Sequence, residues 1–165
     1  MAPLTSFEST EQLNAVLVPF MVRCGAAALC GGLIGIEREL KGKPAGFRTN
    51  ILICVGACIY MLAGVFLLQV EGNDPAAASR LGAQIVTGIG FLGAGSIIRS
   101  GGHVTGLTSA ATIWVVAAIG LVAGAGFPIV AVVAAVLVFA TLVALRGVEA
   151  RYLDPHHPDD RFPNS

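Results

Sequence analysis

Charged residues fall in clusters along this chain, and long apolar runs lie between the clusters. Residues 12–36 hold a single charge, Arg23, and residues 49–70 and 81–98 hold none. From Ser100 to Leu145 there is again no Asp, Glu, Lys or Arg. A membrane-spanning helix needs about 20 mostly apolar residues, within about 17–25. The last run is too long for one helix. Gly124-Ala125-Gly126-Phe127-Pro128 is a turn signal that divides it into 106–123 and 129–145. The runs are continuously apolar and rich in Ala, Leu and Gly, whereas barrel strands are short and alternate. In lipid a helix satisfies its backbone within one segment. The pattern therefore predicts an all-α integral membrane protein, a compact bundle of about five transmembrane helices over residues 12–36, 49–70, 81–98, 106–123 and 129–145. Residues 1–11 read as a polar N-terminus, 12–146 as the membrane domain, and 147–165 as a short tail expected to be disordered.

Composition agrees with this. Hydrophobic residues make up 55% of the 165 and charged residues 12%, about half the charge of a typical soluble domain. Mean hydropathy is +0.80. Ten Lys and Arg balance ten Asp and Glu, so no nucleic-acid partner is implied. The first twelve residues hold Glu8 and Glu11 but no Lys or Arg, unlike the basic start of a secretory signal, and the first run is expected to be retained. Arg38, Lys41, Lys43, Arg48, Arg99, Arg146, Arg151 and Arg161 fall on one side of the predicted bundle, Arg80 alone on the other. The positive-inside rule then places the N-terminus outside and the C-terminus in the cytoplasm.

Glycine is abundant inside the runs. Gly25, Gly31, Gly32 and Gly35 lie in the first, and Gly88, Gly90, Gly93 and Gly95 crowd the third. Small residues let helices approach closely in lipid, so the third helix is expected at the centre of the bundle, its glycines serving helix packing. A bent or broken helix is the alternative use of such glycines.

Polar groups within the runs are costly and mark candidate sites. Arg23 either snorkels to the outer surface, with Pro19 allowing residues 10–18 to lie along the interface, or pairs inside the bundle. Gln84 and Thr87 lie three apart on the third run. Thr105, Thr108, Ser109 and Thr112 form one helical stripe of hydroxyls. Such hydroxyls either bond the carbonyl four residues back or line a hydrated cavity facing Gln84. Trp114 reads as a packing anchor. In the first interior loop, Glu37, Arg38, Glu39, Lys41, Lys43 and Arg48 stand among turn residues, followed by Thr49 and Asn50. Mixed charge on a loop is usually solvated. Here Glu37 or Glu39 paired to Arg48 or Arg99 is expected to form an ion-pair cluster at the cytoplasmic mouth.

Cys24, Cys30, Cys54 and Cys58 match no zinc spacing and read as small buried hydrophobes, a disulfide between the first two helices being left open. His103 falls in the second interior loop, and His156 and His157 precede Asp159 and Asp160 in the tail. No nucleophile–base–acid set is evident, so an enzyme is not expected. No cofactor is expected either, Mg2+ being the one ion left open.

Four strings recur in a telling order: Gly35-Ile36-Glu37-Arg38-Glu39, Ala45-Gly46-Phe47-Arg48-Thr49, Gly88 through Gly95, and Gly106 through Trp114. The series resembles the membrane domain of the MgtC/SapB family over about residues 21–146, and Arg23 fits that pattern too. Ser109 stands where many relatives have Thr, which keeps the hydroxyl. The resemblance is to a short form without the soluble C-terminal domain of longer members. It implies a multi-pass protein of the bacterial inner (plasma) membrane, acting in adaptation to low magnesium and stress and, in pathogens, associated with virulence. It further implies regulation of another membrane protein, such as the ATP synthase, with transport of Mg2+ or another cation as the alternative. Expected partners are the lipid bilayer, such a protein, or a second copy of the chain. Candidate functional residues are Glu37, Arg38, Glu39, Arg48 and Arg99 in the cytoplasmic cluster. Arg23, Thr49, Asn50, Gln84, Thr87, Thr108, Ser109 and Thr112 are the candidates within the membrane. The spans offer Mg2+ hydroxyls and an amide but no carboxylate, a poor match to the hard oxygen ligands it prefers.

Overall fold

The structure, a computed structural model, describes residues 10–70, 75–100 and 103–148. Five helices account for nearly all of it: α1 (Thr10–Leu40), α2 (Phe47–Val70), α3 (Pro75–Gly95), α4 (Leu107–Gly124) and α5 (Pro128–Val148). Stretches of four of them, Leu13–Leu40, Phe47–Phe66, Leu107–Gly124 and Pro128–Leu145, are long and apolar enough to cross a membrane, with mean hydropathy from 1.8 to 2.8. Large apolar side chains face outward, Leu29 at 74%, Phe91 at 82% and Ile129 at 79% exposed. Water would penalise such a surface, and lipid does not.

The helix ends follow local chemistry. Gly42 after α1 and Gly126 after α4 adopt φ of +58° and +106°, a conformation glycine takes without a Cβ penalty. After α1, Lys43 N–H donates to the Arg38 carbonyl and Gly42 N–H to that of Glu39; after α4, Phe127 and Gly126 repeat the pattern on Val122 and Ala123. Both are Schellman stops, which satisfy carbonyls that a helix end otherwise leaves open. Pro19 does not break α1, which is continuous from Thr10.

The centre of the bundle is α4. Half of its span is buried, against 11% for α5. Its Ile113, Val116 and Ile119 pack with Cys30 and Ile34 of α1 and Cys54 and Cys58 of α2. Glycines set the closeness of these contacts. A Cβ on Gly31 would stand 2.6 Å from the Asn50 carbonyl oxygen, and one on Gly35 would stand 2.8 Å from Phe47 Cα. Added Cβ atoms at Gly120 and Gly124 would drive into the carbonyls of Cys54 and Cys58. The four cysteines are free thiols, three of them buried.

Several expectations need correction. The third helix begins at Pro75 and stops at Gly95, not at residue 98. The Ser96 and Ile97 N–H groups bond three residues back to Gly93 and Ala94, tightening and ending the helix. The chain then forms β1 (Ile98–Ser100) and β2 (His103–Thr105), an antiparallel pair that adds a short hairpin to the all-α bundle. Thr105 therefore sits on β2 and leaves the hydroxyl stripe of α4. Nor is α3 central. Among the described residues it gives the buried core only Ile85. Gly93 alone of its crowded glycines approaches a neighbour, Ala110, while Gly88, Gly90 and Gly95 face open space. Glycine density shows that a helix is thin, not which way its thin face turns. Trp114 is 48% exposed and lies on the lipid side rather than anchoring the core. The helix α5 runs to Val148, and residues 149–165 of the tail lie outside the described residues.

Candidate functional site

Polar groups gather where α1 ends, α2 begins and α4 begins. On α1 the core face recurs at Ala27, Cys30 and Ile34, spaced by three or four residues as one helix face requires. Its next positions are Glu37 and Arg38, and these are buried to 6% and 4% exposure. Arg38 lies in the last turn of α1, where a cation meets the negative end of the helix dipole. Its Nη2 donates to Ser109 Oγ at 2.8 Å, and its Nη1 stands 3.8 Å from Glu37 Oε2. A buried guanidinium is tolerable only when paired and hydrogen-bonded, and this arrangement supplies both.

Asn50, in the first turn of α2, is fully buried. Its amide nitrogen donates back to the carbonyls of Ala45 and Gly46, the latter at 2.8 Å, and so fixes the α1–α2 turn. Ala45 holds a φ of +59° there. Glu39 turns outward, and its Oε2 accepts the Phe47 N–H at 2.9 Å. That places a carboxylate at the positive end of α2, whose own first turn has no acid. Two buried oxygens, Glu37 Oε2 and Asn50 Oδ1, have no hydrogen-bond partner among the described residues.

The expected pairing of Glu37 or Glu39 with Arg48 or Arg99 is thus not the one formed. Glu37 meets Arg38, and Glu39 caps α2. Arg48 and Arg99 are exposed, the latter on β1. Helix phase explains the exchange, since Arg38 continues the core face of α1 and Arg48 does not lie on the corresponding face of α2.

The remaining candidates separate. Ser109 and Thr112 are buried on α4, but Thr108 is exposed. Thr112 Oγ1 donates to the Thr108 carbonyl at 2.7 Å, and Thr87 Oγ1 to the Ala83 carbonyl at 3.0 Å. Gln84 does not face the hydroxyls. It lines an open cleft between α2 and α3 together with Thr49 and Tyr60. At the opposite end of the bundle, Arg23 Nη1 donates to the Gly124 carbonyl at 3.1 Å, a carbonyl that the Schellman bonds at the end of α4 leave available. Arg23 is therefore half-buried near the end of α4 and held there by a backbone carbonyl. The helix-packing glycines Gly120 and Gly124 escaped the reading of the sequence. Their spacing, Gly-x-x-x-Gly in an apolar run, was the available signal, and Gly31 and Gly35 share it.

The MgtC family pattern matches residues 25–151, which include the buried Glu37, Arg38, Asn50 and Ser109. The chain belongs to the MgtC family. The MgtC protein of Brucella abortus (strain 2308) is 48% identical over 120 residues, covering 73% of this chain and 48% of its own length. The MgtC protein of Salmonella typhimurium LT2 is 40% identical over 136 residues, covering 82% of this chain and 56% of its own. The YhiD protein of Escherichia coli K12, whose name provisionally assigns it magnesium transport, is 39% identical over 144 residues, 84% of this chain and 66% of its own. This MgtC-family chain thus spans about half to two-thirds of the length of these relatives. No solved structure matches it.

Proposed function

We infer that this protein is a membrane-embedded regulator. It binds another membrane protein through outward helix faces and serves adaptation to low magnesium, in the inner membrane of a bacterium with its C-terminus in the cytoplasm. The membrane ATP synthase is the partner that the family resemblance suggests, and virulence in a pathogen is the setting it suggests. One observation carries this reading. The polar side chains in the bundle hydrogen-bond within it, Arg38 to the Ser109 hydroxyl and, through backbone carbonyls, Asn50 to the α1–α2 turn, Thr112 to its own helix and Arg23 to the end of α4. They act as internal ties, while α3 leaves Gly90, Phe91 and Ala94 exposed to lipid.

Transport of Mg2+ or another cation is the second reading. It is favoured by the two buried oxygens without hydrogen bonds, Glu37 Oε2 and Asn50 Oδ1, since Mg2+ takes hard oxygen ligands. Rescue of growth at low Mg2+ in a strain lacking its own MgtC separates the two. A regulator acting through α3 loses rescue in Gly90→Leu, where nothing lies within 4 Å of an added Cβ and the bundle is undisturbed. Full rescue by that variant and by Phe91→Arg, each shown to be inserted at wild-type levels, would sink this assignment of the docking face.

A further inference from the structure

The bundle is open on one side. Between α2 and α3 runs a cleft of about 710 Å³, walled by Ile53 and Gly56 on α2 and Gly88 and Leu92 on α3, with Ile113 of α4 as its floor. Its two glycines differ from the packing glycines of the core. An added Cβ at Gly56 or Gly88 meets nothing within 4 Å. Glycine weakens a helix, and at these two positions no neighbouring helix makes use of the space it leaves. What they produce is the width of the cleft.

The cleft has a direction. Its polar groups lie at the ends, Thr49 in the first turn of α2 and Tyr60 with Gln84 further in, and the stretch between is hydrocarbon-lined. From Thr49 to Tyr60 a helix rises roughly 16 Å, close to the roughly 15 Å of hydrocarbon in one leaflet. At its Thr49 end the cleft meets a second hollow, also lined by Thr49, which holds Arg48 and Glu39. Glu39 is already engaged with the Phe47 N–H. Arg48 is exposed, as are Lys41 and Lys43 in the adjoining turn. The mouth therefore carries an excess of positive charge over an apolar slot one leaflet deep.

We propose that this cleft is a binding site for one anionic phospholipid, an acyl chain lying between α2 and α3 and the phosphate held by Arg48. Charge complementarity selects a phospholipid over a helix from a second copy. The slot is uncharged along its length and basic only at the membrane surface, which matches a charged headgroup on a hydrocarbon tail. The leaflet is the one on the side of the α1–α2 turn. The site is independent of whether the protein regulates a partner or moves an ion.

Native mass spectrometry of the full, delipidated chain in detergent tests this, with palmitoyl-oleoyl phosphatidylglycerol and the phosphatidylcholine of the same chains as probes. The wild type is expected to retain one phosphatidylglycerol about fivefold or more in preference to phosphatidylcholine. The pair Gly56→Leu and Gly88→Leu fills the slot and should lower retention of both lipids about tenfold, with helical content and monodispersity unchanged. Arg48→Gln lies on the surface and leaves the fold intact. It should keep lipid binding but lose the preference for phosphatidylglycerol. Equal retention of the two lipids by the wild type would overturn the proposal, as would unchanged selectivity in Arg48→Gln. Displacement of the lipid by millimolar inorganic phosphate alone would show a phosphate site without a tail. A Gly88→Cys variant that crosslinks to a second copy in lipid-saturated micelles would give the slot to a helix instead.

Discussion

Arg38 is the residue on which the polar end of the bundle turns. It is buried, bonded to Ser109 and set beside Glu37. Removing one member of a buried pair leaves the other charge uncompensated, at about 3–5 kcal/mol, whereas replacing both by apolar residues is often neutral. Arg38→Leu should therefore destabilise strongly, and the double change Arg38→Leu with Glu37→Leu should recover much of the loss. Ser109→Ala should cost about 1–3 kcal/mol, the usual penalty for a buried donor left short of an acceptor. Thermal unfolding in detergent reads all three. A double variant no better than Arg38→Leu would show that the two residues do not act as a pair. Burial of Arg38 was legible in principle, because Cys30, Ile34 and Arg38 follow one another at helical spacing. Charge in the two interior loops instead suggests Arg48 or Arg99 as the partner of Glu37 or Glu39, and both arginines lie on exposed surface. Nothing in the sequence ties Arg38 to Ser109, a contact between α1 and α4 that only the packing creates.

Among the elements, α4 does the organising, and its glycines do so by what they lack. Gly120 and Gly124 bring its backbone against the Cys54 and Cys58 carbonyls of α2, and Arg23 of α1 holds the end of the same helix. A side chain forced into a well-packed contact costs typically about 1–3 kcal/mol or more. A partly exposed charged hydrogen bond is worth about 1 kcal/mol. Melting temperatures should therefore fall most for Gly120→Val, less for Arg23→Leu and hardly at all for Gly90→Val, whose site is open. A large loss in Gly90→Val would mean that α3 packs through its glycine face after all. The spans themselves were readable, since gaps between charges fix apolar length and the Gly126-Phe127-Pro128 turn divides α4 from α5. The order of burial was not. Hydropathy reports that a run is apolar, but the helix that others surround and the helix at the rim are equally apolar, and α3 with its many glycines was the wrong choice for the centre.

Two features characterise the molecule as a whole. The interior is tied by its own polar groups, and the outer surface is apolar and in part glycine-lined. The first disfavours a conducting path, and the second suits contact with lipid or with another membrane protein. Family membership was visible in the sequence because the four strings stand in order, two of them around the α1–α2 turn and two reaching along α3 and the start of α4. The opposing transport reading requires Glu37 and Asn50 to turn the oxygens that lack hydrogen bonds, Glu37 Oε2 beside Arg38 and Asn50 Oδ1, toward an ion. Mg2+ influx into liposomes carrying the purified full chain tests this most directly. Influx should be no greater than in protein-free liposomes, from protein shown to be folded and inserted. Influx above that level, lost on Asn50→Ala or Glu37→Gln without loss of the fold, would contradict the regulatory reading and make the protein a transporter.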